Sequence, residues 1–220
     1  MFPPRSTVCG LVASIMGKER HSYYELMSPD QCRVAVEIPE KVRKFMAAEN
    51  FLDTDEIVER NLRGRKGRVP IPREIILPEP PGSKVKYRIY FAHDDETLLK
   101  ELADKIRTRY LLFPPSLGVA NALADVRLVK PPSEAIKLEA GSYRLSTCVP
   151  ASKFKSLEPE VGVRVYREEV VPVSFSKGRE PERVDDFLYF FSSECKPKVS
   201  VQEAFEVKVD GTPVYGTFME

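Results

Sequence analysis

The chain has 220 residues, 42% hydrophobic and 30% charged, with a formal net charge of +1. That length supports one large domain or two small ones with real cores, and the near-neutral charge excludes a whole-molecule electrostatic argument for nucleic acid, so any such argument must be local. No apolar run reaches the roughly 18 residues a membrane-spanning helix needs. The first helix is too short and too closely preceded by prolines for a secretory signal, and the protein reads as cytoplasmic with no membrane partner.

The four cysteines, Cys9, Cys32, Cys148 and Cys195, are far apart in sequence and form no Cys-x-x-Cys or Cys/His cluster. Such spacing argues against a zinc site and points to buried small apolar groups. No motif calls for a metal or a cofactor, so none is expected. Asn and Gln number only five, against 19 prolines and the high charge content. That balance is a thermophile tendency, and hyperthermophiles are the exception to the absence of intracellular disulfides.

In chain order, Pro3 and Pro4 stiffen the start. Ser6 or Thr7 is suited to cap a helix on which Val8, Leu11, Val12 and Ile15 form one apolar face, and Gly17 sits where a left-handed stop is wanted. Arg5 stands at the positive end of this helix, beside free backbone donors, a place suited to an anion such as phosphate. The polar segment Lys18 to Glu25 carries His21, Tyr23 and Tyr24. Residues 32–38 alternate as a half-buried strand does. From Glu40 to Glu59 the spacing of Val42, Phe45, Met46 and Glu49 predicts a helix. Residues 60–68 hold five cations, two glycines and no acid, which predicts a flexible basic loop or hairpin tip.

Residues 73–77 read as a short strand, and residues 84–91 alternate cleanly as a longer one. Asp94 or Asp95 caps the next helix, which carries Leu98, Leu102 and Ile106 on one face and runs to about Arg109. An apolar loop follows, then a strand at 125–129. Pro131, Pro132 and Ser133 mark a boundary. Beyond it, strands are predicted at 143–148, 163–167, 170–175, 187–191, 205–209 and 214–218, with Asp210-Gly211 as a hairpin turn between the last two. With one more strand before the first helix, the N-terminal order would be β-α-β-β-α-β, the ferredoxin-like arrangement. Only Met1 and Phe2 precede the prolines. The expected class is therefore α+β: residues 1–130 as a ferredoxin-like domain with an insertion at about 40–82, and residues 131–220 as an antiparallel β region.

Two stretches carry a family resemblance. Phe2-Pro3-Pro4-Arg5-Ser6-Thr7-Val8-Cys9-Gly10-Leu11-Val12-Ala13-Ser14-Ile15-Met16-Gly17 resembles the N-terminal signature of the Cas five family of CRISPR-associated proteins, within the RAMP superfamily. The segment from Tyr110 through Phe113-Pro114-Pro115-Ser116-Leu117-Gly118 to Val126 is similar to that family's aromatic-Pro-x-x-Leu-Gly segment. The resemblance covers roughly residues 2 to 130. It implies a non-catalytic RNA-binding subunit of an antiviral type I Cascade complex, with a flavour of archaeal type I-A. In that family a ferredoxin-like (RRM/RAMP) palm carries a projecting thumb. The protein holds the 5′ handle of the crRNA and contacts the backbone and large subunits. Arg5, Ser6 and Thr7 fall in the matching motif, and the basic stretch with Arg60, Arg63, Arg65, Lys66, Arg68 and Arg73 occupies the place of the thumb. The family's first strand has no counterpart here.

Cations on phosphates and aromatic rings under splayed bases are how proteins grip single-stranded RNA, and Tyr23 and Tyr24 are the stacking candidates. Two alternative readings stand beside this one. A metal-independent endoribonuclease acting on precursor crRNA would use His21 as its proton shuttle, with Lys18 and Tyr23 or Tyr24 beside it; His93, at a strand end before a helix cap, reads as structural. The other alternative is a purely structural assembly subunit.

Overall fold

The structure is a computed structural model. It describes residues 1–53, 59–64, 67–118, 122–158, 160–176, 178–191 and 195–220, with the side chains of residues 60 and 61 outside the description. The chain is mostly β and its strand pairs are antiparallel. It divides into two compact units: residues 40–86, with Met1, and residues 2–39 with 87–220. Residues 131–220 thus share a unit with the N-terminal helix.

In the larger unit, α1 (Arg5–Met16) packs beside β1 (Cys32–Glu37), β9 (Arg164–Phe175) and α3 (Glu96–Thr108), and α3 packs on β4 (Arg88–His93). Helix α1 starts one residue before the expected caps. Pro4 is its N-cap and no side chain caps it, since proline supplies the helical entry angle without a donor to satisfy. Gly17, at φ 72°, ends it in the left-handed region, where its N–H donates to Ser14 O at 3.1 Å and that of Lys18 to Ala13 O at 2.9 Å; a side chain here would also press on Leu112. Asp95 caps α3 by accepting from Thr97 N (2.8 Å) and Leu98 N (3.3 Å). This meets the first helical donors, and Leu98 and Leu102 are buried as their spacing requires.

β1 and β4 pair antiparallel with Cys32 opposite His93 and Glu37 opposite Arg88. The expected half-buried β1 is in fact covered on both faces: Cys32, Val34, Ala35 and Val36 are all fully buried. Its other edge is met by Cys148 N–H and Met219 N–H, donating to Val36 O and Val34 O at 2.8 Å each. β4 is shorter than the alternation at 84–91 suggested. It begins at Arg88 because β1 ends opposite it at Glu37, and Pro39 follows close behind with no N–H to extend the ladder.

The remaining strands of this unit build antiparallel sheets: β6 (Gly141–Arg144) with β11 (Lys198–Val201) and β8 (Phe154–Leu157); β13 (Thr212–Gly216) with β12 (Ala204–Val209) and β5 (Ile136–Leu138); and β7 (Val149–Pro150) with β10 (Pro181–Phe191) and β9 (Arg164–Phe175). One core gathers Leu145, Val149, Val199, Val201 and Ala204. Asp210 and Gly211 turn β12 into β13 with φ of 48° and 79°, as a type I′ hairpin needs. Residues 125–129 form no strand; they lack a neighbouring strand with which to pair. No described helix is long and apolar enough to cross a membrane.

The smaller unit corrects the helix expected at 40–59. β2 (Val42–Leu52) and β3 (Arg68–Pro78) form an antiparallel hairpin in register from Val42↔Pro78 to Leu52↔Arg68. Cross-strand pairing with β3, Phe45 opposite Ile75 and Met46 opposite Glu74, overrides the incidental helical spacing of Val42, Phe45 and Met46. Pro70, Pro72 and Pro78 are the third, fifth and eleventh residues of β3, so in this two-stranded hairpin their missing donors fall on one side of the strand. A short helix, α2 (Glu59–Leu62), lies between the strands in sequence. Ile57 and Val58, read with the helix, lie outside the described residues.

Candidate nucleic-acid interface

The larger unit holds an open cavity of about 330 Å³ lined by Ser6, Thr7, Tyr23, Tyr24 and Arg179, with Arg5, Cys9 and Glu182 also on its wall. Five residues singled out from two separate stretches of sequence, Arg5, Ser6, Thr7, Tyr23 and Tyr24, therefore line one recess. Each is placed by a local cause. Ser6 and Thr7 occupy the first turn of α1. Val8 N–H donates to Pro4 O at 3.1 Å and opens the helical ladder, so the amides of residues 5–7 have no intrahelical acceptor. Tyr23 lies against α1 because residue 10 is glycine: a Cβ there would sit 3.3 Å from the Tyr23 hydroxyl. Tyr23 and Tyr24 pack ring to ring at 5.1 Å and 36°. Burial, then the neighbouring Tyr24 and Cys9, push the Tyr23 phenol above its ordinary pKa, so it stays a neutral hydrogen-bond donor.

Arg179 was not picked out from the sequence. It lies in the turn between β9 and β10, exposed, at φ 65°, and its amide donates to Ser176 O at 2.9 Å. The chain between it and α1 is some 170 residues long, so only the fold brings a cation to the first turn of that helix. A side chain other than glycine held in the left-handed region was the one available signal, and it is not visible in sequence.

Arg5 departs from its expected place. Its guanidinium is buried and turned inward. Nε donates to Glu220 Oε2 at 2.9 Å, and Nη2 donates to Met27 O at 2.9 Å and to Cys32 O at 2.6 Å. Nη1 adds a longer contact to Val173 O at 3.5 Å. The side chain ties the helix start to the loop before β1, to β9 and to the last residue. Its positive charge faces a carboxylate and three carbonyls.

Of the catalytic alternatives, His21 Nδ1 lies 3.0 Å from the Tyr24 hydroxyl, with the imidazole exposed at φ 68°. Neither His21 nor Lys18 is among the residues lining the cavity. His93 has both ring nitrogens engaged. Nε2 bonds Leu26 O at 2.8 Å, so it carries the proton, and Nδ1 accepts from Asp95 N at 2.9 Å; this fixes the neutral ring as a buried joint beneath the cap of α3.

On the hairpin unit, Arg68 ends the ladder at an exposed position. Arg63 forms an i,i+4 ion pair with Glu59. Arg73 pairs with Glu49 at 2.9 Å and lies 5.1 Å over the Phe51 ring, and Arg43 lies 5.9 Å over Phe45. Arg65, Lys66 and the side chain of Arg60 lie outside the described residues. Among the described residues no group of three or more His, Cys, Asp or Glu is placed to hold a metal.

Chemically, the cavity offers a helix start whose amides lack intrahelical acceptors and a cation for an anion, beside two packed phenol rings for a flat base. Phosphate and base are the two halves of a nucleotide. Compared with protein-family models and with curated proteins, the chain matches none.

Proposed function

We propose that the protein is an RNA-binding subunit of a type I CRISPR Cascade antiviral complex, working in the cytoplasm, and that it holds the 5′ handle of the crRNA. The observation that carries the reading is the cavity joining Ser6 and Thr7 to Tyr23, Tyr24 and Arg179. An RNA phosphate at the α1 start would take the helix-end donors and Arg179, and a splayed base would stack on the tyrosines. Arg5 serves this reading as a positioning residue: its four inward contacts fix the helix start on which Ser6 and Thr7 sit.

The fold supports the same reading in two respects. The order α1–β1 and β4–α3, with β1 and β4 antiparallel, is compatible with the inner helix–strand–strand–helix part of a ferredoxin-like (RRM/RAMP) palm. A separate hairpin unit is inserted between β1 and β4, where the family carries its thumb. Its basic tip supplies the second RNA contact, and the backbone and large subunits are the protein partners.

Replacing Arg63, Arg65, Lys66 and Arg68 together by alanine tests the thumb assignment. Handle RNA binding falls while association with the backbone subunit survives. If both survive, the assignment is wrong.

A further inference from the structure

Cys9 and Cys32 are 23 residues apart in sequence and belong to different elements, α1 and β1. Both are buried, at 3% and 0% exposure. Arg5, one turn before Cys9 on the same helix, donates to the backbone carbonyl of Cys32 at 2.6 Å, which pins the same face of α1 to the start of β1. The two side chains interact directly, which lowers the pKa of the Cys9 thiol and raises that of Cys32. Of the other two cysteines, Cys148 is buried and Cys195 is exposed.

We infer that Cys9 and Cys32 are a disulfide-forming pair that staples α1 to β1 behind the cavity. Access comes from the cavity itself, because Cys9 is on its wall. The oxidant is a low-molecular-weight disulfide. The interaction with Cys32 and the Arg5 charge favour the Cys9 thiolate against the effect of its burial, so Cys9 attacks first. It forms a mixed disulfide and releases one small thiolate. Cys32 then gives up its proton and attacks the Cys9 sulfur, closing the S–S bond and releasing the second small thiol. Two protein thiols are oxidised and one external disulfide is reduced to two thiols. The composition, poor in Asn and Gln and rich in charge and proline, fits the one class of cells whose intracellular proteins commonly keep such bonds. The inference is independent of RNA binding.

The test is a disulfide map of the full-length protein incubated with oxidised glutathione, then denatured and alkylated. The expected result links the Cys9 and Cys32 peptides, with Cys148 and Cys195 alkylated. Alkylation of both Cys9 and Cys32 overturns the inference, as does a bond from either to another cysteine. A second measurement does not depend on any variant folding. Reducing the oxidised wild type lowers its thermal midpoint by roughly 6–12 °C, the scale of closing a loop of this length in a domain of this size. An unchanged midpoint contradicts the pairing. Cys195→Ser retains the shift, and Cys32→Ser, if it folds, loses it.

Discussion

Arg5 and Glu220 form an ion pair at 2.9 Å across 215 residues of sequence, with both side chains almost wholly buried. The last residue thereby braces the first turn of α1. The other Glu220 oxygen accepts from Val34 N at 2.8 Å, so one carboxylate joins helix and strand. Arg5→Ala leaves that carboxylate buried without its cation and orphans the carbonyls of Met27 and Cys32. A loss of about 3–5 kcal/mol is expected, measured by denaturant unfolding. Arg5→Lys restores charge without the fork and recovers only part of it.

Burial raises the Glu220 pKa despite Arg5, whereas Glu37 shows the opposite balance. Burial works to raise its pKa as well, but the Lys196 ammonium at 2.8 Å, the Tyr90 hydroxyl at 2.8 Å and Arg88 at 3.1 Å outweigh it and hold the carboxyl below its ordinary value. A depressed folded-state pKa contributes stability that is present above the unfolded glutamate value of about 4.3 and lost as pH falls through the lower folded one. Glu37→Gln is expected to cost about 2 kcal/mol at neutral pH. The difference from wild type shrinks as unfolding is measured at progressively more acid pH below 4.3.

The cap of α3 gives a smaller and independent effect. Asp95→Ala removes the acceptor for Thr97 and Leu98 amides and is expected to lower the thermal midpoint by roughly 2–4 °C. Asp94→Ala, one residue earlier and making only a long surface pair with Arg33, is expected to change it little.

The endoribonuclease alternative has its own outcome. His21 touches Tyr24 but does not line the cavity, so repeat RNA incubated with the protein in chelator is expected to remain intact. Site-specific cutting that disappears in His21→Ala would overturn the binding-only reading.

Elements whose signals are local were legible in the sequence. Asp95, Gly17 and Asp210-Gly211 act on their own neighbours, and the structure uses each as its chemistry suggests. Elements decided by distant partners were not. Within the helix expected at 40–59, Val42–Leu52 is a strand because β3 supplies its ladder. β1 has its second edge closed by Cys148 and Met219, more than 100 residues further along the chain. The candidate site divides the same way. Ser6, Thr7, Tyr23 and Tyr24 are close enough in sequence to suggest one another. Arg5 looked like an anion ligand until a carboxylate 215 residues away claimed it, and Arg179 reached the cavity from a β-turn that carries no motif.

The most direct measurement is the affinity of repeat-derived handle RNA, against a scrambled RNA of equal length, over a series of salt concentrations for wild type, Arg179→Ala and Tyr24→Ala. The handle is expected to bind more tightly than the scrambled RNA. Arg179→Ala should weaken binding and reduce the salt slope by about 0.7, one phosphate contact on a single strand. Tyr24→Ala should cost about 1–3 kcal/mol with the slope unchanged, as a lost stacking contact would. Equal affinity for both RNAs, unaltered by either substitution, would contradict the assignment of this cavity to the crRNA handle.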